Sequence, residues 1–434
     1  MKLKVLLINP WIYDFAAVNL WSKPLGLLKV AEYLSRFDLE IDLIDCTGQY
    51  RRVGPFGTGN YPKEIVSTPE CLRSIPRKFG RYGISIREFQ RLLKDKSPFD
   101  LVFMTSIMSY WYPGVQKAVE IIKAEYKDIP IILGGIYATL WHKHASETSG
   151  VDYIYKGPVS ENIHPVLNNF GFNIKEKRED NVPFYRLGLD DRLPFAPLLT
   201  SIGCPYRCSY CASGLLNENF VQLYVAEIVK EILELCYMSI RDFAFYDDAL
   251  LVNAETHIKP LLKEVISHKL DVRFHCPNGL HASFIDDELA FLMKGSGFQT
   301  LRLSLETVDR KRQQTTGGKV TSDNLTHAVN ALKKYGFKKN NIGVYLMYGL
   351  PGQGLDEVEH GVEFLKDHSA KVNLTEYSPV PGTQCWDDLI ENNIIHNDID
   401  PLLTNNTVFS QLFLGYDPVA LKKLKLDVNE YNVA

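Results

Sequence analysis

The stretch Cys204-Pro-Tyr-Arg-Cys208-Ser-Tyr-Cys211 places three cysteines close together with the spacing C-x3-C-x2-C. Iron–sulfur clusters bind cysteine thiolates, and a four-iron cluster usually takes four of them. Because only three thiols are local here, one iron would lack a protein ligand, and an open metal position is where substrate chemistry takes place. A zinc site normally needs paired C-x2-C units or added histidines, and the chain has no second C-x2-C and no H-x3-H. The odd number of local cysteines argues against a disulfide.

This stretch resembles the signature of radical S-adenosylmethionine (SAM) enzymes, C-x3-C-x-aromatic-C, with Tyr210 as the aromatic residue. The resemblance implies that Cys204, Cys208 and Cys211 bind a 4Fe–4S cluster and that SAM binds the open iron. One electron from the cluster would then cleave SAM into methionine and a 5′-deoxyadenosyl radical, which abstracts hydrogen from a substrate. A structural zinc ion or incidental cysteines stay open as the alternative.

Length and composition limit the possible classes of protein. The 434 residues predict two or three domains, and 45% hydrophobic with 23% charged residues is an ordinary globular composition. With a net charge of −4, the chain lacks the overall excess of basic residues that is typical of nucleic-acid-binding proteins. The other five cysteines are scattered, and neither a signal peptide nor an apolar run of membrane-spanning length is visible. These features predict a cytoplasmic protein with reduced thiols and no membrane partner.

Residues 1–170 carry short apolar runs that alternate with helical patterns. Each run is rich in Val, Ile and Leu and ends in a polar or glycine turn, as buried parallel strands do. Apolar residues lie on one face of the predicted helices at residues 24–37 and 113–126. The alternation predicts an α/β fold with a doubly wound, Rossmann-like sheet, with strands at residues 4–9, 40–46, 100–106, 129–135 and 151–157.

Small residues lie at the carboxyl ends of two of these strands, where ligands of doubly wound sheets bind. Ser106 closes the third strand and Gly134-Gly135 closes the fourth. Paired glycines allow a ligand to press against bare backbone. The pattern resembles half of a cobalamin-binding domain, in which the serine and the glycines line the channel of the nucleotide tail. The resemblance implies a cobalamin-binding-type domain; a tight strand-to-helix turn is the alternative interpretation of the glycines.

The other half of the cobalamin pattern is missing. Domains of the methionine-synthase kind carry D-x-H-x-x-G after the first strand, whereas the first histidine of this chain is His142. Cobalamin without a histidine ligand, another ligand, and an empty domain all stay open. The aromatic loop that contains Tyr110 and Trp111 follows Ser106 directly. Its rings are candidates to stack on a corrin or a substrate, or to plug the cleft.

Residues 47–98 form a predicted insertion with a basic segment. Six Lys and Arg side chains face a single acid, Glu88, between residues 73 and 91. Most such charge runs are solvated faces. The sharper hypothesis is a docking surface for an anionic substrate or for an acidic electron donor of the flavodoxin or ferredoxin type, built from Arg73, Arg77, Lys78, Arg81, Arg87 and Arg91.

A second alternating pattern follows a polar linker at residues 171–197. Six strand–helix units in residues 198–390 predict a partial TIM-type (β/α)6 barrel, the fold that radical SAM enzymes have. Asp286 is a candidate cap for one of its helices, and another helix is predicted over residues 322–335. Residues 391–434 form a C-terminal extension, a candidate cover for the barrel mouth. The predicted strands lie at residues 198–203, 242–247, 272–277, 300–306, 342–350 and 372–378.

Acidic residues follow the second barrel strand, at the end where barrels place their chemistry. The resemblance implies that Asp247 and Asp248 stand in for the Gly-Gly-Glu-like motif that binds the methionyl ammonium of SAM. A lone Asp-Asp at a strand end is also a common helix cap. Asn278, after the third strand, is a further residue that could face the site.

Strands four and five end in residues that the resemblance assigns to the adenosyl part of SAM. Ser304 and Glu306, on one strand face by the two-residue period, are placed like groups that hold the ribose hydroxyls. Tyr348 and Gly349 resemble the region that packs on adenine. A structural polar pair and a plain turn are the respective alternatives.

The predicted function is that of a radical SAM enzyme that acts on a small molecule or a peptide. With cobalamin in the first domain, the resemblance implies methyl transfer to an unactivated carbon. The alternatives are a radical SAM enzyme of another reaction type with a cobalamin-free first domain, and a non-catalytic iron–sulfur or zinc protein with a redox or interaction role.

Overall fold

A computed structural model describes residues 2–189 and 193–434. The chain separates into two compact units: the first contains the described residues up to Leu193 with Pro401–Leu403, and the second contains Pro194–Asp400 with Thr404–Ala434. Met1, in the predicted first domain, and residues 190–192, in the predicted linker, lie outside the described residues.

The first unit is built on a parallel five-stranded sheet. Parallel strands buried on both faces need continuous apolar runs, and Leu6, Leu7 and Ile8 of the inner strand Leu3–Asn9 are fully buried. The doubly wound sheet predicted from the sequence is confirmed, although the last strand is shorter than predicted. In spatial order the strands are Tyr153–Ile154, Ile131–Gly135, Leu101–Ser106, Leu3–Asn9 and Leu39–Asp45.

Helices connect these strands. Ser85 caps one of them by accepting a hydrogen bond from the backbone N–H of Glu88, since a hydroxyl oxygen can satisfy an N–H at a helix start. The helices of the first unit are Leu25–Leu34, Ile86–Lys96, Tyr112–Glu125, Ile136–Leu140, His142–Thr148 and Ile163–Asn169.

The predicted insertion at residues 47–98 has its own structure. Lys63–Ile65 and Gly80–Tyr82 form a three-stranded antiparallel sheet with Ile12–Asp14. Arg52–Val53 and Gly59–Asn60 pair as a short hairpin. Ile12, Tyr61 and Tyr82 form a small apolar cluster beneath these strands, so the insertion is anchored to the segment that follows the first strand.

The second unit contains a parallel sheet of six consecutive βα strands. Phe274 packs between Phe243 and Phe298, with ring centroids 5.8 and 5.3 Å away. The first and last strands are not paired among the described residues, so the barrel is partial, as predicted. Leu280–His281 adds a short pairing to the fourth strand. In order the six strands are Ala196–Leu198, Asp242–Phe245, Arg273–His275, Phe298–Glu306, Ile342–Tyr348 and Lys371–Glu376.

The first barrel strand differs from its prediction over residues 198–203. It occupies Ala196–Leu198, so it begins inside the segment predicted as linker, and Ser201–Ile202 pairs antiparallel with Val221–Gln222 instead. The physical reason is the buried carboxylate of Asp247, which accepts a hydrogen bond from the backbone N–H of Thr200 at 3.1 Å. That N–H therefore leaves the strand ladder, and the chain turns.

Helices of the second unit begin with side-chain caps, among them Asp286, which was predicted from the sequence, and Thr321, which was not. The side chain of Asp286 accepts from the backbone N–H of Leu289, and Thr321 forms a capping box with Asn324. The helices are Ser213–Leu216, Val225–Tyr237, Ile258–Ser267, Asp287–Gly295, Arg310–Thr315, Ser322–Lys334, Leu355–Asp367, Gln384–Glu391, Asn406–Phe413 and Pro418–Val433.

The C-terminal helix Pro418–Val433 packs against the outermost barrel strand, Lys371–Glu376, and not only near the barrel mouth. The Asn432 side chain pairs with both backbone groups of Val372, at 3.0 and 2.8 Å. A strand edge with unpaired N–H and C=O groups invites aggregation, so this helix protects the edge. Within the described residues, none of the helices is at once long and apolar enough to cross a membrane.

Candidate functional site

The cysteine loop, residues 203–212, follows the first barrel strand and is held by backbone contacts. The N–H of Cys211 donates to the carbonyl of Cys208 at 3.0 Å, and the N–H of Cys385 donates to the carbonyl of Ser209 at 2.9 Å. The Arg207 guanidinium donates to the carbonyl of Cys204 at 2.9 Å. The loop is therefore preorganised by contacts from within itself and from a helix near the end of the barrel.

The three thiols of this loop differ in exposure. Cys204 is buried, Cys208 is half-buried and Cys211 is exposed. Their charges interact with one another; burial raises the pKa of the Cys208 thiol to about 11, while the nearby Lys319 ammonium acts to lower it. Since metal binding requires deprotonated thiols, a cation beside them favours the form that binds.

A second segment, Gly317-Gly318-Lys319, lies against the cysteine loop. A Cβ atom at Gly317 would lie 3.1 Å from both Cα and Sγ of Cys208. Gly317 also has a φ of +126°, a backbone conformation that favours glycine. Only a residue without a side chain fits there, so this segment is one wall of a cradle around the thiols.

Lys319 joins this wall to the end of the fourth barrel strand. Its Nζ lies 3.0 Å from Oε1 of Glu306, and the two side chains are 14% and 11% exposed. The Tyr210 hydroxyl is hydrogen-bonded to Glu306, and burial together with the charges of Glu306 and Cys208 holds the pKa of Tyr210 well above its usual range. The structure thus brings Tyr210 and Glu306, both predicted site residues, together with the cysteines.

The sequence prediction missed Lys319 and Gly317. Both lie in the loop after the helix Arg310–Thr315, more than one hundred residues from the cysteines. The signal that could have found them is the Gly-Gly-Lys triplet itself, since paired glycines before a lone lysine in a loop at the carboxyl side of a barrel strand are typical of a close approach to a site.

Ser304 and Glu306 do not continue on one face of the strand. The register shifts between them, and Glu306 has a φ of +62°, which is strained for a residue with a side chain. Glu306 faces Lys319, whereas the hydroxyl of Ser304 lies where a Cβ of Gly279 would come within 2.2 Å. The bulge separates the two side chains, and their ribose contacts stay predictions.

Asp247 and Asp248 have different surroundings. Asp247 is buried and its Oδ1 accepts from the hydroxyls of Thr200 and Ser201, at 2.6 and 2.7 Å. Burial raises the pKa of Asp247 to about 6, although these donors oppose the shift. Asp248 is exposed and hydrogen-bonded to Ser213. Asp247 therefore fixes the start of the cysteine loop, and Asp248 is the freer of the two carboxylates for a cofactor.

Ser213 connects the exposed acid to the cysteines. Its hydroxyl lies 3.4 Å from the Cys211 sulfur, and its backbone N–H lies 3.5 Å from the same sulfur. Because Ser213 also contacts Asp248, the carboxylate and the thiol share one neighbour. Asn278, in contrast, donates to the backbone carbonyls of Tyr246 and Asp247, so its amide holds the end of the second strand.

Tyr348 and Gly349 close the fifth strand and contact the C-terminal extension. The Tyr348 hydroxyl donates to Glu376, which also pairs with Lys425 at 2.7 Å. The N–H of Gly349, where φ is +90°, donates to the hydroxyl of Tyr416 at 3.2 Å. Residues 416 and 425 of the C-terminal extension thus support the residues predicted to contact adenine, Tyr416 directly at Gly349 and Lys425 through Glu376 at Tyr348.

In the first unit, Gly134 and Gly135 line a cavity of about 110 Å³ at the carboxyl end of the sheet. Gly26, Val30 and Tyr155 complete much of its wall. A Cβ at Gly135, where φ is +89°, would lie 2.5 Å from the Thr105 hydroxyl. The glycines therefore make a tight turn and leave bare backbone toward a cavity, and their contact with a cobalamin tail stays a prediction.

Ser106 and the aromatic loop lie around a different, smaller cavity. Ser106 and Trp111 line it together with Asn9 and Thr47, and the Ser106 hydroxyl donates to the carbonyl of Met108 at 2.8 Å. The indole N–H of Trp111 donates to Asp14 at 2.8 Å.

Tyr110 is buried, and its ring centroid lies 6.1 Å from that of Trp111. Both rings are packed, and a role in stacking on a ligand stays a prediction.

The basic segment of the insertion is largely paired with acids outside the span counted in the sequence. Arg81 is buried and pairs with Glu64, and Arg91 pairs with Glu88 and Asp95. Arg73 pairs with Glu70 at 3.4 Å. Acids outside residues 73–91 thus neutralise three of the six basic side chains, because the antiparallel strands and the helix bring further carboxylates beside these arginines, and the docking surface stays a prediction.

In the described part of the chain, no group of three His, Cys, Asp or Glu side chains is arranged to hold one metal ion. A four-iron cluster is larger than a single ion and takes each cysteine separately. The cysteine loop, with three interacting thiols, a glycine wall against Cys208 and a buried ammonium, fits such a cluster.

The sequence is similar to two groups of curated proteins over part of its length. It is 26% identical, over 58% of this chain and 56% of the relative, to an uncharacterized methyltransferase of Pyrococcus horikoshii. It is 21% identical, over 44% of this chain and 45% of the relative, to the ribosomal protein uS12 methylthiotransferase RimO of Caldicellulosiruptor saccharolyticus. The chain thus spans about half the length of the curated relatives it matches.

Solved structures share the fold over most of the chain. The radical SAM methyltransferase TsrM from Kitasatospora setae, with cobalamin and a 4Fe–4S cluster bound, covers 90% of this chain at a TM-score of 0.64 and 17% identity, and 75% of TsrM is covered. TsrM solved with tryptophan and the SAM analogue aza-SAM has a TM-score of 0.65 and 18% sequence identity to this chain. That match covers 90% of this chain and 76% of TsrM. The cobalamin-dependent SAM radical enzyme OxsB gives a TM-score of 0.52 at 15% identity, with 92% of this chain and 56% of OxsB covered.

The family match lies on the barrel. Residues 198–365 match the model of the radical SAM superfamily, a stretch that begins at the first barrel strand, contains the cysteine loop and includes Lys319. Members of this superfamily use an iron–sulfur cluster and SAM. The barrel, the cysteine spacing and this match agree, and residues 198–365 form a radical SAM domain.

Proposed function

We propose that the chain is a cobalamin-dependent radical SAM methyltransferase that acts on an unactivated carbon of a small molecule or a peptide. The observation that carries the radical SAM part is the cradle around Cys204, Cys208 and Cys211, where three interacting thiols meet the Gly317 backbone and the Lys319 ammonium. A bound cluster would supply the electron that splits SAM, and cobalamin would supply the methyl group. A flavodoxin- or ferredoxin-type protein is the proposed electron donor.

The residues of the barrel have distinct parts in this proposal. The three thiolates bind the cluster and leave one iron for SAM. Asp248, which is exposed beside Ser213, is available for the ammonium of SAM, whereas Asp247 holds the loop. Ser304 and Glu306 are assigned to the ribose, and Tyr348 and Gly349 to adenine. Glu306 would have to exchange part of its contact with Lys319 for a ribose hydroxyl.

The proposal of cobalamin rests on the first unit. The cavity lined by Gly134 and Gly135 is apolar, lies at the carboxyl end of a doubly wound sheet and is open to bare backbone. TsrM, which shares the fold, was solved with cobalamin, and a curated relative is described as a methyltransferase. Since the first histidine is His142, cobalamin would bind here without the D-x-H-x-x-G histidine.

Anaerobic reconstitution tests the cluster. We expect the wild-type chain to bind about four irons and four sulfides and to release 5′-deoxyadenosine when reduced with SAM. Single Cys204→Ala, Cys208→Ala and Cys211→Ala variants should lose both properties. The control is Cys236→Ala, at a half-buried thiol on a helix of the same unit, which should keep both. Iron binding that survives all three loop variants would refute the proposal.

Corrin binding tests the methyltransferase part separately. Protein produced with cobalamin should show corrin absorption bands, and Gly134→Val should reduce them because the new side chain fills the cavity. At Gly134 a Cβ would meet only the Tyr155 carbonyl, at 3.8 Å, so the substitution should fold. Ala124→Val, on the exposed face of the helix Tyr112–Glu125, is the size-matched control. A wild-type protein without corrin but with SAM cleavage would favour the alternative, a radical SAM enzyme of another reaction type.

A further inference from the structure

Lys319 is a partly buried cation among the groups that would bind the cluster. Its ammonium lies 3.0 Å from Glu306 Oε1 and its side chain is 14% exposed. The same loop presses Gly317 against Cys208, at 3.1 Å from a Cβ position to the sulfur. The placement of Lys319 is thus fixed from two sides, by an ion pair and by backbone packing.

The charge of Lys319 reaches all three thiols. The ammonium of Lys319 interacts electrostatically with Glu306, Cys208 and Cys211. In turn Lys319 acts on Cys204 and Cys208, and Cys211 acts on Lys319. A charge of low exposure is costly unless it is paired; among the described residues Glu306 is the carboxylate that pairs with Lys319, and the thiolates are its further electrostatic partners.

We propose that Lys319 is a positioning residue that raises the reduction potential of the cluster, and that Glu306 opposes it. The inference rests on the proposed function, because it concerns the cluster at Cys204, Cys208 and Cys211. The reaction is the addition of one electron from the donor protein to the oxidised cluster, with no bond broken and no proton moved. A reduced cluster is more negative by one charge, so a neighbouring ammonium stabilises it and a neighbouring carboxylate destabilises it.

The low exposure of the pair makes the effect large. Charges near each other interact several times more strongly at a partly buried site than in water, and salt screens them less there than at a surface. An exposed pair of the same type exists on the same unit, Lys334 with Asp287, at 59% and 52% exposure. That pair should have no measurable influence on the cluster.

The test is a redox titration of the full-length, anaerobically reconstituted protein without SAM, followed by electron paramagnetic resonance of the reduced cluster. We expect Lys319→Met to lower the ratio of reduced to oxidised cluster at least tenfold at a fixed potential, a shift of about 59 mV to more negative values for one electron. Glu306→Gln should shift the potential in the positive direction. Lys319→Arg should stay near the wild type, and Lys334→Met should equal it.

The opposite signs separate this proposal from a merely structural role. If the ion pair only held the loop together, losing either partner would loosen the site in the same way, and shifts of the same sign would overturn the proposal. An unshifted Lys319→Met with normal iron content would also overturn it, while leaving the proposed function intact. Should Lys319→Met fail to fold, a positive shift in Glu306→Gln supports the inference and no shift refutes it. A wild-type chain that binds no iron and sulfide removes the proposed function and this inference together.

Discussion

The backbone of Gly317 lies close against Cys208 at the proposed cluster site: a Cβ at position 317 would lie 3.1 Å from both the Cα and the sulfur of the cysteine. We predict that Gly317→Ala loses most of its bound iron, because the new methyl group must displace Cys208. The positive φ adds a cost of about 1–2 kcal/mol for any L-residue with a side chain. Iron and sulfide content after reconstitution measures the effect.

Gly318→Ala is the matched control for this prediction. Gly318 also has a positive φ, +63°, but nothing lies within 4 Å of its Cβ position. Both substitutions therefore carry a backbone cost, which is larger at the φ of +126° of Gly317, and only Gly317→Ala adds the contact with Cys208. Equal iron content in the two variants would show that the approach of Gly317 does not matter.

Asp247 and Asp248 separate folding from cofactor binding. We predict that Asp247→Asn lowers the free energy of unfolding by about 2 kcal/mol, since the buried donors of Thr200 and Ser201 would face an amide group in place of one carboxylate oxygen. Asp248→Asn, at an exposed position, should leave stability unchanged and weaken SAM binding.

Urea unfolding and isothermal titration with SAM measure the two effects. A destabilised Asp248→Asn, or an Asp247→Asn that unfolds like the wild type, would contradict the division of roles between the neighbouring acids.

The contacts with the C-terminal extension predict a role for Tyr416 behind the adenine region. Its hydroxyl accepts from the N–H of Gly349 and donates to the carbonyl of Gln353, at 3.2 and 2.8 Å. Tyr416→Phe leaves a backbone donor without its partner, which costs roughly 1–3 kcal/mol when buried, so the dissociation constant for SAM should rise. Tyr237→Phe, at an 88% exposed residue, is the control. Unchanged SAM affinity in Tyr416→Phe would contradict the bracing of Gly349.

Much of the barrel could be predicted because its signals are local. The strand Phe298–Glu306 and the caps at Asp286 and Thr321 follow from apolar runs and from residues a few positions apart. The cysteine loop is equally local. The start of the barrel could not be predicted this way, because the backbone N–H of Thr200 donates to Asp247, which follows the next barrel strand 47 positions along the chain.

The surroundings of the thiols could not be predicted from sequence patterns either, because they depend on contacts between residues that are distant in the sequence. Lys319 reaches Glu306 through a loop that a helix separates from the strand, and no periodicity encodes that approach. The bulge that turns Glu306 away from the face of Ser304 depends on pairing with the neighbouring strand. The pairing of Arg81 with Glu64 depends on an antiparallel register within the insertion, which composition alone does not reveal.

His281 predicts an acid sensitivity of the second unit. Its ring contacts that of Tyr206 with centroids 4.5 Å apart and planes tilted by 48°, and its buried Nδ1 has no hydrogen-bond partner among the described residues. Burial lowers the pKa of His281 to about 3, and the charge of Lys319 acts in the same direction. The folded state therefore keeps this imidazole neutral.

The direction of this pH dependence follows from the pH at which the unfolded and the folded states each bind the proton. In the unfolded chain a histidine protonates as the pH falls through about 6.5, whereas His281 in the folded chain stays neutral until about pH 3. The contribution of the neutral His281 to the free energy of unfolding is therefore fully present above about pH 6.5 and is lost as the pH falls. Between pH 7 and pH 5 the loss is about 2 kcal/mol for this one group.

His281→Gln should remove that part of the pH dependence, because glutamine does not titrate. We expect the free energy of unfolding in urea to fall by about 2 kcal/mol less in His281→Gln than in the wild type when the pH is lowered from 7 to 5. His268→Gln, at a 44% exposed side chain beside Glu264, should keep the wild-type slope. If the free energy of unfolding changed with pH equally in the wild type and in His281→Gln, the imidazole would gain a proton in the folded state. The inference that the His281 ring stays neutral would then be wrong.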